Sequence, residues 1–126
     1  MSNNIQNDLY RELEQTRDIN QIQNYIKNVI EVRGFSKQSS QDNMLLLTEE
    51  VGELAKAIRK ENTLLGVDCE KMYNYDSVES EIADVFIILN NICNCLNINL
   101  YECIMKKEKI NINRVWSKTK WKENNK

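Results

Sequence analysis

The near absence of helix-breaking residues is the feature that most constrains the fold of this chain. The chain contains no proline, and its glycines are confined to Gly34, Gly52 and Gly66. Proline and glycine are the residues that destabilise helices most, and the tight turns of β-hairpins depend heavily on glycine. The sequence therefore predicts an all-α fold.

The length and the apolar spacing predict one domain. A chain of 126 residues fits a single hydrophobic core. We expect a helical domain over residues 18–118, a polar segment 1–17 for which a short helix is left open, and a polar basic tail 119–126. Apolar residues at helical spacing predict helices at about 18–34, 41–61, 76–96 and 99–116. Four such helices can enclose one core, as in a four-helix bundle.

Residues that favour helix ends support these boundaries. Asp18 is placed to cap the first predicted helix, and Gly34 is placed to end it. Asp76 with Glu79, and Asn99 with Glu102, have the spacing of a capping box at the start of the third and fourth helices.

Charge and residue content exclude several classes of function. With 17 basic and 19 acidic residues the chain has a net charge of −2, so no basic surface for nucleic acid is expected. It has no histidine and no Cys-x-x-Cys pair, which argues against a zinc site. No apolar run approaches the roughly 18 residues of a membrane span, and the N-terminus is polar, so we expect a cytoplasmic protein.

Carboxylates on the second predicted helix point toward its apolar side. Because a helix turns by about 100° per residue, Glu50 falls inside the arc formed by apolar residues such as Leu46 and Leu54. Glu53 lies at the border of this arc, and Glu49 lies furthest outside it. For Glu49 alone, an ordinary solvated surface position is a sufficient explanation.

The third predicted helix repeats this pattern with Glu81 on its apolar side and Asp84 at the border. Four carboxylates about 5 Å apart would repel one another by roughly 3 kcal/mol per pair at an effective dielectric constant of 20. Such a cluster needs protonation or a cation. Ligands that are all oxygen select hard cations, so we expect Mg²⁺, with Mn²⁺ as a substitute.

These residues resemble a known family. Glu-Glu-Val-Gly-Glu-Leu at 49–54, followed by Glu-Ile-Ala-Asp at 81–84, is similar to the two-part motif of the MazG-type all-α nucleoside triphosphate pyrophosphohydrolase superfamily. The Arg-Gly-Phe turn at 33–35 and the Lys-x-x-x-Asn-x-x-Arg pattern at 107–114 extend the resemblance from about residue 19 to residue 116.

The resemblance implies an activity and a set of site residues. The activity is hydrolysis of a nucleoside triphosphate between the α and β phosphates, in the control of nucleotide pools. The implied metal ligands are Glu50, Glu53, Glu81 and Asp84. The implied catalytic residues are Glu49, which would orient water, and Glu50. The residues implied to bind the triphosphate are Lys107, Asn111 and Arg114, although a solvated basic edge also explains these positions.

Several alternatives stay open at this point. Members of the superfamily act on dUTP, dCTP, mixed triphosphates or phosphoribosyl-ATP with the same acidic core, so the motif does not choose the base. The aromatic residues that are candidates for stacking on a base are Phe35, Tyr73, Tyr75, Trp116 and Trp121. A non-catalytic helical module that binds nucleotide or metal is the main alternative. A ferritin-like metal centre is disfavoured, because it needs histidine ligands and this chain has no histidine. The resemblance implies a homodimer or homotetramer.

Overall fold

All regular secondary structure in the described part of the chain is helical. The computed structural model describes residues 2–66, 68 and 76–116, and it contains no strand among them. These residues form five helices, which are α1 (Ser2–Glu14), α2 (Ile19–Val32), α3 (Ser40–Asn62), α4 (Val78–Cys95) and α5 (Leu100–Asn111). The prediction of an all-α fold is confirmed. The predicted tail at 119–126 lies outside the described residues.

The first two helices form a pair at the N-terminal end. The Asp18 side chain caps α2 as predicted, because its Oδ1 accepts hydrogen bonds from the backbone N–H groups of Asn20 and Gln21 at 2.8 and 3.1 Å. Gly34 follows the end of α2 with a φ of 82°, which glycine adopts without strain. The segment before Asp18, for which the sequence left a helix open, contains α1, and α1 packs on α2.

The two helices with the acidic motifs have well-defined starts. Ser39 and Asp42 form a complete capping box at the start of α3. At the start of α4 the cap is Ser77, whose Oγ accepts from the backbone N–H of Ser80 at 3.2 Å. The predicted cap at Asp76 is therefore wrong by one residue, since the hydroxyl of Ser77 already satisfies the first turn.

The last helix is shorter than predicted. Asn99 caps α5 as expected, with its Oδ1 accepting from the backbone N–H of Glu102 at 2.9 Å. The helix ends at Asn111 instead of near Trp116. A tighter turn replaces it, because the N–H of Arg114 bonds to the carbonyl of Asn111, which also accepts from Trp116 Nε1 at 2.8 Å. These bonds satisfy the terminal carbonyl without another helical turn.

Helices α3 and α4 form the centre of the fold. They run antiparallel and make the most extensive contact between any two described helices, while α2 packs on α4, α1 and the start of α5. The buried apolar side chains are few among the described residues: Ile26, Val29, Ala57, Cys93 and Leu100. Much of the apolar surface of α5, by contrast, is exposed.

A buried glutamine holds the bend between α4 and α5. Gln23 Nε2 donates to the carbonyl of Ile98 at 2.8 Å and to Asn94 Oδ1 at 3.0 Å, while Gln23 Oε1 accepts from the N–H of Leu100 at 2.9 Å. No single described helix is long and apolar enough to cross a membrane. Helices α4 and α5 pass that test of length and composition only as a pair, and their axes are bent by 98°.

Candidate metal centre

Helices α3 and α4 bring three carboxylates together. One carboxylate oxygen from each of Glu50, Glu81 and Asp84 lies within 4.8 Å of the corresponding oxygens of the other two. Glu50 comes from α3, and the other two come from successive turns of α4, where a spacing of three residues places them on one face. The cluster therefore depends directly on the α3–α4 contact.

Glu81 has the most buried position in this cluster. Only 4% of its surface is exposed, and its Oε2 is buried without a hydrogen-bond partner among the described residues. A buried carboxylate that lacks a partner destabilises the folded state by several kcal/mol. A counter-ion bound beside it would offset much of this cost. This oxygen therefore marks the place where a ligand of positive charge fits.

Glu50 is half-buried, and its surroundings oppose its negative charge. Burial and the nearby charge of Asp84 raise the pKa of Glu50 above the ordinary value of 4.5. A hydrogen bond to Glu81, together with the charges of Glu81 and Glu53, raises this pKa further. Every charge that acts on this pKa is negative, because the charged groups that shift it are Asp84, Glu81 and Glu53.

The donor set fits a hard divalent cation. At 4.8 Å two carboxylates repel by about 3 kcal/mol at an effective dielectric constant of 20. A divalent cation between them would convert this repulsion into attraction, and it would give Glu81 Oε2 the partner that it lacks. The three candidate ligands are all carboxylates, and the group contains none of the nitrogen and sulfur ligands that are typical of zinc sites.

The other two acidic residues of the α3 motif lie outside this group of three. Glu53 is half-exposed, and its Oε1 lies 3.8 Å from Lys56 Nζ, although its charge still acts on Glu50. Glu49 is exposed to solvent. The structure thus gathers three of the four predicted metal ligands and places Glu53 and Glu49 at the solvent side.

The predicted triphosphate-binding residues do not form one helical stripe. Lys107 is exposed on α5, Asn111 is the last residue of that helix, and Arg114 lies in the turn beyond it. Arg114 was expected within the helix predicted at about 99–116, but the helix ends at Asn111, before it reaches this residue. Asn111 is half-buried and donates to Glu108 Oε1 at 2.9 Å, while its Oδ1 is buried without a partner among the described residues.

Among the aromatic candidates, Phe35 is half-exposed and lines a cavity between α2, α3 and α4. Trp116 is largely exposed, and Tyr73, Tyr75 and Trp121 lie outside the described residues. The sequence reasoning missed Asn43 and Asn91 in this cavity, although both are buried. Their spacing in the sequence could have indicated them. Each asparagine stands seven residues from a predicted metal ligand, which places it on nearly the same face of its helix.

The fold and this cluster define a class of protein: an all-α protein with a group of carboxylates that could hold a cation between two antiparallel helices. Residues 38–122 match the model of the MazG nucleotide pyrophosphohydrolase domain. The chain therefore belongs to the MazG nucleotide pyrophosphohydrolase family. No curated protein and no solved structure gives a significant match to this chain.

Proposed function

We propose that this protein hydrolyses a nucleoside or deoxynucleoside triphosphate between its α and β phosphates, giving a nucleoside monophosphate and pyrophosphate. Membership of the family supports a nucleotide substrate and this class of hydrolysis. The observation that carries the proposal is the convergence of Glu50, Glu81 and Asp84 with an unpartnered oxygen on Glu81.

We propose Mg²⁺ as the cofactor, with Mn²⁺ as a substitute. Glu50, Glu81 and Asp84 would hold the cation, and Glu53 would complete the set from the solvent side, since it already acts on the charge of Glu50. When bound, the cation would neutralise phosphate charge and favour attack of water on phosphorus.

Residues of the chain itself supply the remaining chemistry. Glu49 is exposed and precedes Glu50 in the sequence, and its carboxylate would orient the attacking water and accept a proton from it. Lys107, Asn111 and Arg114 would bind the phosphates, since lysine and arginine attract them and arginine can bind two phosphate oxygens at once.

These basic residues lead to a proposal about assembly. Helix α5 packs on α2, and none of its charges is among the groups that shift the pKa of Glu50. A second copy of the chain would bring its α5 toward the carboxylates and would cover exposed apolar side chains such as Ile104 and Met105. We therefore propose a homodimer or homotetramer that acts on nucleotide pools in the cytoplasm, without binding nucleic acid or membrane.

Pyrophosphate release from a panel of ribo- and deoxynucleoside triphosphates, with and without Mg²⁺, tests this function. We expect Mg²⁺-dependent release of one pyrophosphate for each monophosphate formed, and a loss of about 100-fold or more in Glu50→Gln. Glu61→Gln is the matched control, because Glu61 is exposed near the end of the same helix.

Two outcomes would overturn the proposal. Orthophosphate as the first product would mean that a different bond is cleaved. Magnesium-dependent binding of a triphosphate without turnover would favour the alternative of a non-catalytic module that binds nucleotide at the same site.

A further inference from the structure

A cavity of about 270 Å³ lies between α3, α4 and the end of α2. Its walls are mainly apolar and include Leu46, Ile88 and the ring of Phe35, which is 49% exposed. Two buried amide side chains, Asn43 and Asn91, interrupt this apolar lining. A largely apolar cavity with a few fixed polar groups is typical of sites that bind small organic molecules.

Hydrogen bonds fix the orientation of these two amides. Asn43 Nδ2 donates to the backbone carbonyl of Ser39 at 2.8 Å, which leaves Asn43 Oδ1 as the acceptor for Asn91 Nδ2 at 2.8 Å. Since Ser39 contributes a carbonyl, which can only accept, neither amide can be rotated by 180° without losing a bond. The start of α3 therefore determines which atoms Asn91 offers to the cavity.

Asn91 retains unused hydrogen-bonding capacity. Only 6% of its surface is exposed, and no described group hydrogen-bonds to its Oδ1. One N–H of its Nδ2 is also free, because a primary amide has two donors and Asn43 takes one. The Oδ1 and this N–H are therefore available to hydrogen-bond a molecule in the cavity.

The cavity and the carboxylates lie at different heights along the axes of the same helix pair, α3 and α4. Leu46 stands one turn before Glu50 on α3, a rise of about 6 Å, and Asn91 stands about two turns after Asp84 on α4, a rise of about 10 Å. One sugar and one phosphate group span a separation of this order. A molecule whose phosphates lie at the carboxylates can thus extend its opposite end into the cavity.

We propose that the cavity binds the base of the nucleotide and that Asn91, oriented by Asn43, is the specificity-determining residue that hydrogen-bonds to the edge of this base. The proposal rests on the proposed function, because it assigns the other end of the same substrate. The planar ring would lie against Leu46, Ile88 and Phe35. The Oδ1 and free N–H of Asn91 would pair with a donor and an acceptor on the base.

Base selectivity of variants tests this inference. We expect Asn91→Leu, which keeps the size of the side chain, to lower kcat/KM for the preferred triphosphate about 10-fold or more and to reduce the differences between bases. Leu46→Phe, which fills the cavity without changing either amide, is expected to raise KM for every base. Asn90→Leu is the control for loss of a buried amide from α4, because Asn90 does not line this cavity. Its Nδ2 bonds only within its own helix, and its Oδ1 is buried without a partner among the described residues.

A second measurement separates failure of this inference from failure of the proposed function. Nucleoside monophosphates are titrated into ¹⁵N-labelled protein in the presence of Mg²⁺, and the side-chain amide signal of Asn91 is followed. We expect this signal to shift in wild type, and monophosphates to bind more weakly to Leu46→Phe. Unchanged base selectivity in folded Asn91→Leu would overturn the inference while leaving the hydrolysis intact. An Asn91 signal that no monophosphate shifts would overturn it even if no triphosphate is hydrolysed.

Discussion

At the scale of single residues, the carboxylates of Glu50 and Glu81 are in positions that stability alone does not explain. Glu81 is buried with an unpartnered oxygen, and Glu50 lies beside it among further negative charges. Each arrangement destabilises the metal-free fold, since a buried carboxyl oxygen without a partner and neighbouring negative charges both oppose burial of a carboxylate. Such a loss of stability is typical of functional sites, where charged groups are positioned to bind a ligand.

The raised pKa of Glu50 predicts how the stability of the metal-free protein depends on pH. A carboxyl whose pKa is higher in the folded state than its ordinary value of 4.5 favours folding fully below that value. This contribution is lost as the pH rises through the higher, folded-state pKa. In the presence of EDTA we expect the Tm of wild type, relative to that of Glu50→Gln, to fall as the pH is raised above about 4.5.

Thermal unfolding across this pH range measures the effect, with Glu61→Gln as the control for removal of an exposed charge from α3. Added Mg²⁺ is expected to raise the Tm of wild type more than that of Glu50→Gln, since a ligand that binds the folded state stabilises it. A pH-independent difference between wild type and Glu50→Gln would contradict the assigned environment of Glu50.

Some features of this site could be predicted from single residues and others could not. The helical wheel predicts the inward position of Glu81, because each residue advances by a fixed angle and its apolar neighbours are close in sequence. The bond between Asn43 and Asn91 joins residues from two helices, and its geometry depends on the register of α3 against α4. This register cannot be predicted from the sequence pattern of either helix alone.

At the scale of elements, capping residues predicted where helices start better than apolar spacing predicted where they end. Asp18 and Asn99 cap α2 and α5 as expected, since their side chains bond to N–H groups only two or three residues away. The apolar pattern continues past Asn111 through Ile112 and Val115, yet the chain leaves the helix there. The bond from Trp116 to the carbonyl of Asn111 is not encoded in that periodicity.

The glutamine at the α4–α5 bend gives a prediction about stability. Replacement of Gln23 by leucine removes the partners of the Leu100 N–H and the Ile98 carbonyl, one of which is buried. We expect the free energy of unfolding to fall by about 2 kcal/mol, the cost of leaving a buried backbone group unpaired. Urea unfolding measures this loss, with the exposed Gln21→Leu on the same helix as control. Equal destabilisation in both variants would contradict the role of Gln23.

At the scale of the whole molecule, the single chain buries little apolar surface for its size. Seven of the exposed large apolar residues of the described chain lie on α5 and just beyond it: Tyr101, Ile104, Met105, Ile110, Ile112, Val115 and Trp116. Several exposed apolar side chains on one helix are typical of a surface that forms an interface. This distribution supports the proposal that copies of the chain associate through α5.

A charge on this surface is expected to disrupt that association. Met105→Lys places an ammonium group among apolar residues, which would cost desolvation in any interface that buries it. Analytical ultracentrifugation is expected to show wild type as a dimer or tetramer and Met105→Lys as a smaller species, with Asn62→Lys at the end of α3 as the control. A monomeric wild type, or an unchanged Met105→Lys assembly, would contradict the proposed interface.

The central claim is that the carboxylates gathered between α3 and α4 hold the cation required for triphosphate hydrolysis. Its most direct test compares Mg²⁺-dependent pyrophosphate release by wild type, Glu81→Gln and Glu79→Gln. Glu79 is exposed on the first turn of α4, so its variant controls for the loss of a charge from the same helix. We expect Glu81→Gln to lose about 100-fold or more in kcat/KM and Glu79→Gln to retain wild-type activity. Equal activity of folded Glu81→Gln and wild type would contradict the claim.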